Sequence, residues 1–111
     1  MKATLFFADE KVKNAFNKLK TSSKSCDREL LTLLENAFDA LSENAFCGVQ
    51  VPKGLIPKTY RKRNGALKNL WKYNLNRSLR LLYTVASDGD TIVVIIEWLD
   101  HTANDRRFGY S

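Results

Sequence analysis

Leu79-Arg80-Leu81-Leu82-Tyr83-Thr84-Val85-Ala86-Ser87-Asp88-Gly89-Asp90-Thr91-Ile92-Val93-Val94-Ile95-Ile96-Glu97-Trp98-Leu99 is the stretch whose reading decides the fold. Two runs rich in β-branched and aromatic residues flank an Asp-Gly pair. Asp-Gly is a strong hairpin signal, because a type I′ turn needs backbone with positive φ. A two-residue loop at Asp88-Gly89 sets Ser87 opposite Asp90. Counting back, it sets Arg80 opposite Glu97. Side chains alternate along a strand, so Leu79, Leu81, Tyr83 and Val85 oppose Arg80, Leu82, Thr84 and Ala86. In the return strand Ile92, Val94, Ile96 and Trp98 oppose Val93, Ile95, Glu97 and Leu99.

Upstream, Leu67–Leu75 reads as a third strand, with Leu67, Trp71, Tyr73 and Leu75 on one face. The loop Asn76-Arg77-Ser78 fits a three-residue turn and places Asn74 opposite Arg80. Both registers predict one apolar face made of Trp71, Tyr73, Leu75, Leu79, Leu81, Tyr83, Ile96 and Trp98. They predict an exposed, concave, mixed face carrying Lys68, Lys72, Asn74, Arg80 and Glu97. A slip of one residue would bury those charges, which argues for this register.

The first half supplies the cover for the apolar face. Thr4–Ala8 reads as a short strand. Asp9 can cap a helix with Val12, Ala15, Phe16 and Leu19 on one stripe. Thr21-Ser-Ser-Lys-Ser breaks it, and Asp27 is expected to cap a second helix with Leu30, Leu34, Ala37, Phe38 and Leu41 on one side. Phe46–Gly65 holds both prolines and three glycines and reads as a long irregular loop, with room for a helical turn at Lys58–Arg63. The expected architecture is one α+β domain over residues 1–111. Its order is β-α-α-β-β-β: an antiparallel twisted sheet with an αα-hairpin on one face.

Charge is distributed unevenly. From Asn44 to Ser87 there is no acid and there are nine basic residues: Lys53, Lys58, Arg61, Lys62, Arg63, Lys68, Lys72, Arg77 and Arg80. Residues 1–43 balance at seven of each sign, and residues 88–111 carry two basic against five acidic. A field of one sign repels itself and costs stability, so it is best tolerated where a polyanion will sit. Lys53, Lys58, Arg61, Lys62, Arg63, Lys68 and Arg77 are therefore candidate RNA contacts that follow phosphates without reading sequence.

The same pass limits the alternatives. The apolar run Ile92–Ile96 is too short to span a membrane, and acids at Asp9 and Glu10 interrupt any leader-like start, so no membrane partner is expected and a cytoplasmic location is. Cys26 and Cys47 form no metal spacing. They read as two free buried thiols or one disulfide. One histidine and no His/Cys/Asp cluster argue against a metal, and no cofactor is expected.

Four segments together resemble the RelE/ParE superfamily of toxins from prokaryotic toxin–antitoxin pairs. They are Leu70-Trp71-Lys72-Tyr73-Asn74-Leu75, Leu79-Arg80-Leu81-Leu82-Tyr83-Thr84-Val85, Ile96-Glu97-Trp98-Leu99-Asp100-His101 and Arg107-Phe108-Gly109-Tyr110. The likeness runs from about Thr4 to Tyr110. Its RelE branch implies a metal-independent endoribonuclease that cuts mRNA in the ribosomal A site. Its ParE branch implies a DNA gyrase inhibitor, and a non-catalytic nucleic-acid-binding module of the same fold is a third reading. The resemblance implies a cognate antitoxin, mRNA and the ribosome as partners, with DNA reached only indirectly through an antitoxin complex.

Metal-free RNA cleavage needs a base for the 2′-hydroxyl, positive donors for the phosphate and an acid for the leaving oxygen. Arg80 stands at the family position for phosphate, and a guanidinium keeps its charge and donates in pairs. His101 is the only residue whose unperturbed pKa lies near neutrality, and it follows the last strand, where part of the family places an acid or base. Lys72 shares the face of Arg80 and could stabilise the phosphate or act as base. RelE itself has a lysine pair on this strand, and ungapped spacing from Arg80 puts those positions at Trp71 and Tyr73. Glu97 is an alternative base, lowered in pKa by its expected pairing with Arg80. Tyr110 could stack on a base or plug the core edge beside Phe108.

Overall fold

The computed structural model describes residues 2–63 and 67–100, with Arg61–Arg63 and Asp88 described by backbone alone. Strand β1 (Ala3–Phe7) leads into helix α1 (Glu10–Thr21). Asp9 caps α1 as expected, its Oδ1 accepting from the Val12 N–H at 3.0 Å. Helix α2 (Ser25–Glu43) starts two residues before the expected cap. Lys24 is its N-cap, without a side-chain bond. Asp27 instead lies in the first turn, where a carboxylate complements the helix dipole, and it accepts from the Ser22 hydroxyl at 2.7 Å.

Val12, Phe16 and Leu19 of α1 and Leu34, Ala37 and Leu41 of α2 are buried against one sheet face. Phe7, Phe16 and Phe38 form a ring cluster with centroids 5.3–6.1 Å apart. Trp71, Tyr73, Leu75, Leu79, Leu81, Tyr83 and Trp98 pack into this core, as the alternation predicts.

The sheet has five strands in the order β1-β5-β4-β3-β2, with β2 Val49–Gln50, β3 Trp71–Asn74, β4 Leu79–Asp88 and β5 Asp90–Asp100. It is mixed rather than wholly antiparallel, because β1 runs parallel to β5. The helical hairpin carries the chain across one face, which is the kind of connection a parallel neighbour requires. The β3 strand is shorter than the expected Leu67–Leu75. The expected irregular loop contains β2, a 3₁₀ turn (Lys53–Leu55) and a short helix α3 (Lys58–Arg63).

Two single-residue offsets move the central register. At the turn Gly89 alone takes positive φ (+81°), so Asp88 faces Asp90 and Ser87 faces Thr91. Between Leu82 and Tyr83 a β-bulge adds a second offset, with Tyr83 opposite Ile95 but Leu82 opposite Glu97. Arg80 therefore faces Leu99, not Glu97. The offset at the turn puts Val93 and Ile95 on the face of α1 and α2 and Ile96 on the opposite face, and the bulge then returns Trp98 to the helix side.

That second face is not an open polar surface. Val51, Ile56 and Tyr60 from the loop and α3 fold onto Leu70, Leu82, Ile96 and Leu99, with Ala8 and Leu67 at the margin. Leu67 thus leaves the face expected for it. The loop is pinned at its start, where the buried Tyr83 hydroxyl accepts from the Gly48 N–H at 3.1 Å. A Cβ at Gly48 would lie 2.5 Å from both that hydroxyl and the Lys72 carbonyl oxygen, so only glycine fits this close approach. Cys26 and Cys47 are free, and both are exposed rather than buried. Among the described residues, no helix is long and apolar enough to cross a membrane.

Candidate nucleic-acid interface

The polar residues of the second face lie on two neighbouring cross-strand rows. Lys72, Leu82 and Glu97 make one row across β3, β4 and β5. Asn74, Arg80 and Leu99 make the next. Lys72, Asn74 and Arg80 lie on the side of the sheet away from the helical hairpin, whereas Glu97, one row from Arg80 at the bulge, borders a pocket with Lys11, Val12 and Ala15 of α1. The buried Leu82 and Leu99 separate them, so the polar groups border the second core instead of filling a concave surface. Lys72, Arg80 and Glu97 are each partly buried.

Arg80 is held by the turn it follows. Its Nη1 donates to the carbonyls of Asn76 at 2.9 Å, Leu79 at 3.1 Å and Arg77 at 3.3 Å. That turn is itself shaped by Asn76, whose Oδ1 accepts from the Leu79 and Ser78 N–H groups at 2.8 and 2.9 Å. These bonds use one nitrogen of the guanidinium, and a planar guanidinium can donate from its Nε–Nη2 edge at the same time. Asn76 is a positioning residue that strand counting missed. Its signal was in the sequence, since Asn at the first position of a tight turn commonly bonds to backbone ahead of it.

The basic segment curves over the same face. Lys53 and Lys58 are exposed on the 3₁₀ turn and α3, Lys68 is exposed before β3, and Arg77 is exposed on the β3–β4 turn beside Arg80. Arg61, Lys62 and Arg63 are on α3, whose Tyr60 is fully buried in the second core. Val51, Ile56 and Tyr60 therefore anchor on the second core a segment that also carries the exposed Lys53 and Lys58. His101 and Tyr110, proposed from sequence for acid–base work and stacking, lie outside the described residues, as does Arg107.

A larger hollow of about 990 Å³ lies elsewhere, near the β4–β5 turn, where Phe46, Trp71, Val85 and Thr91 contribute to its lining. Phe46 is 55% exposed there, and its ring stands 5.4 Å from that of Trp71. Its lining mixes these side chains with Lys2, Gln50, Asn69 and Asp90 and, among the described residues, has no arginine.

No protein-family model matches the chain, and no curated protein matches it. The fold does match a solved structure, a YoeB/ParE toxin from Agrobacterium tumefaciens. The TM-score is 0.57 over 88% of this chain and 98% of that one, at 14% identity. The chain therefore has a RelE/ParE-like toxin fold: an α+β arrangement of a helical hairpin on a five-stranded mixed sheet.

Proposed function

We propose that this chain is the toxin of a toxin–antitoxin pair and acts as a ribosome-dependent, metal-independent mRNA endonuclease, held silent by a cognate antitoxin. The observation that carries the reading is Arg80, fixed by three backbone carbonyls on the turn that carries the exposed Arg77. A pre-oriented guanidinium can meet charge developing on a phosphate without reorganising, which is the main demand of this chemistry. Asn74 lies directly across from Arg80 and offers an amide to the same substrate. Lys72 and Glu97, one row away, are the described candidates for charge stabilisation and proton transfer. His101 and Tyr110 complete the proposed set as acid and base-stacking group. Lys53, Lys58, Arg61, Lys62, Arg63, Lys68 and Arg77 would hold the RNA backbone. Such a protein works in the cytoplasm, where ribosomes are, and reaches DNA only through its antitoxin.

A second reading, a gyrase inhibitor without chemistry of its own, is favoured by one feature. The apolar second core breaks up the polar face and keeps Lys72 and Arg80 on separate rows. Primer extension on translated mRNA after induction separates the two. Cleavage by the wild-type chain that Arg80→Ala abolishes supports the nuclease. Intact mRNA with blocked gyrase supercoiling replaces it with the second reading.

A further inference from the structure

Among the described residues, strand β1 is an outer strand of the sheet, paired on one side only. Ala8 donates its N–H to the Ile95 carbonyl at 2.8 Å. Amide direction alternates along a strand, so Thr4 and Phe6 also direct their backbone groups at β5. Ala3, Leu5 and Phe7 then direct theirs outward. Nothing of the usual protection is built into this edge: it has no proline, no bulge and no charged side chain between Ala3 and Phe7. Phe6 is 54% exposed on the face away from the helices. Alongside runs a cavity of about 250 Å³ lined only by Leu5, Phe6, Phe7, Phe16, Phe38 and Ile95.

We propose that this edge pairs with β1 of a second copy of this chain, antiparallel about a two-fold axis at Leu5, making one continuous sheet. The pattern is self-complementary at this register. Leu5 meets Leu5, and Ala3 meets Phe7 in both directions, so all three outward residues exchange hydrogen bonds within the strand. A two-fold centred one residue to either side would strand one of those residues beyond its partner's β1. Thr4 and Phe6 of opposite copies become close, non-bonded neighbours, which covers the exposed ring. Charge agrees as well. Lys2, whose ammonium stands 3.5 Å from the exposed Glu43 carboxylate of its own chain, comes to lie beside Ala8 of the second copy, next to Asp9 and Glu10, and can exchange one exposed acid for the other. The apolar cavities of the two copies face each other across the axis, and the small Ala3 side chain is the one set beside Phe7.

The register makes a specific test possible. Facing residues of a non-bonded antiparallel pair have Cα atoms about 4.5 Å apart, within disulfide range. In a Cys26→Ser/Cys47→Ser background, Thr4→Cys with Phe6→Cys should link two copies under mild oxidation, while either cysteine alone should not. Sedimentation of the unmodified chain at micromolar concentrations should show a dimer. Phe6→Lys, at an exposed position, should raise its dissociation constant by about tenfold with an unchanged circular dichroism spectrum. A chain that sediments as a monomer throughout overturns the proposal. So does cross-linking by Thr4→Cys or Phe6→Cys alone as complete as by the pair, or a dimer indifferent to Phe6→Lys. mRNA cleavage by a strictly monomeric protein would remove this inference and leave the nuclease reading standing.

Discussion

Arg80 shows how a single side chain can be positioned by backbone alone. Three carbonyls of the β3–β4 turn hold Nη1, and Asn76 shapes that turn through its own Oδ1. Removing a pre-oriented donor of this kind costs about 10²–10³ in rate, so Arg80→Ala should abolish cleavage in translating extracts. Asn76→Ala leaves the guanidinium in place but loosens the turn that aims it. The expected loss is smaller, about tenfold, with kcat falling more than KM rises. Equal activity in Arg80→Ala, with folding checked by circular dichroism, would remove Arg80 from the site. Tyr83 is a second residue with a measurable signature. Burial pushes its phenol up to about 12, opposed by the hydrogen bond from Gly48. An unfolded chain releases that proton near 10.0, while the folded chain keeps it to about 12. The folded state therefore binds more protons in this window, and stability must fall as pH rises from 10 to 12. Denaturant midpoints measured across that range should decline in the wild type, and Tyr83→Phe should flatten that part of the decline.

Among the elements, the segment from β2 to α3 changed most between sequence and structure. Read as an irregular basic loop, it is a cap whose Val51, Ile56 and Tyr60 bury Leu82 and Ile96. Leu82 is fully buried, so Leu82→Ala should destabilise the fold by about 2–5 kcal/mol through lost burial and a residual cavity. Because the cap rests on this cluster, limited proteolysis of the variant should cut first between residues 51 and 67. Initial cutting in α1 or α2 would show that the cap does not depend on Leu82. The same segment carries Lys53 and Lys58, both exposed, and the sequence positions Arg61, Lys62 and Arg63. Each phosphate contact with single-stranded RNA contributes about −0.7 to the log–log salt slope, so Arg61, Lys62 and Arg63 together account for about −2. Changing all three to Ala should flatten the slope by that amount, and an unchanged slope would mark α3 as a solvated surface.

At the scale of the whole molecule, the nine-cation segment without an acid must be covered or occupied. We expect an acidic partner segment to lie across it, and pull-down of the adjacent gene product at moderate salt should recover that partner. Weakening of the complex by Arg61→Ala, Lys62→Ala and Arg63→Ala together would locate the contact, and recovery of no adjacent product would count against a toxin. The sequence by itself determined the helical hairpin, the β3–β4–β5 meander and most of the first core, because 3.6- and 2-residue periodicities are local and survive without knowledge of partners. It also determined the Asn74–Arg80 pairing, since a short turn fixes register over a few residues. It could not determine the register at Arg80. A Gly89 tip and a bulge at Ile96 each shift the count by one, and a bulge is chosen by packing on both faces rather than by residue type. The second core was equally out of reach. Val51, Ile56, Tyr60 and Leu70 are scattered without period, and only when the loop closes over the sheet do they meet Leu82 and Leu99. Tertiary structure alone decided that the face of Arg80 is half apolar, because burial there depends on contacts between residues far apart in the chain.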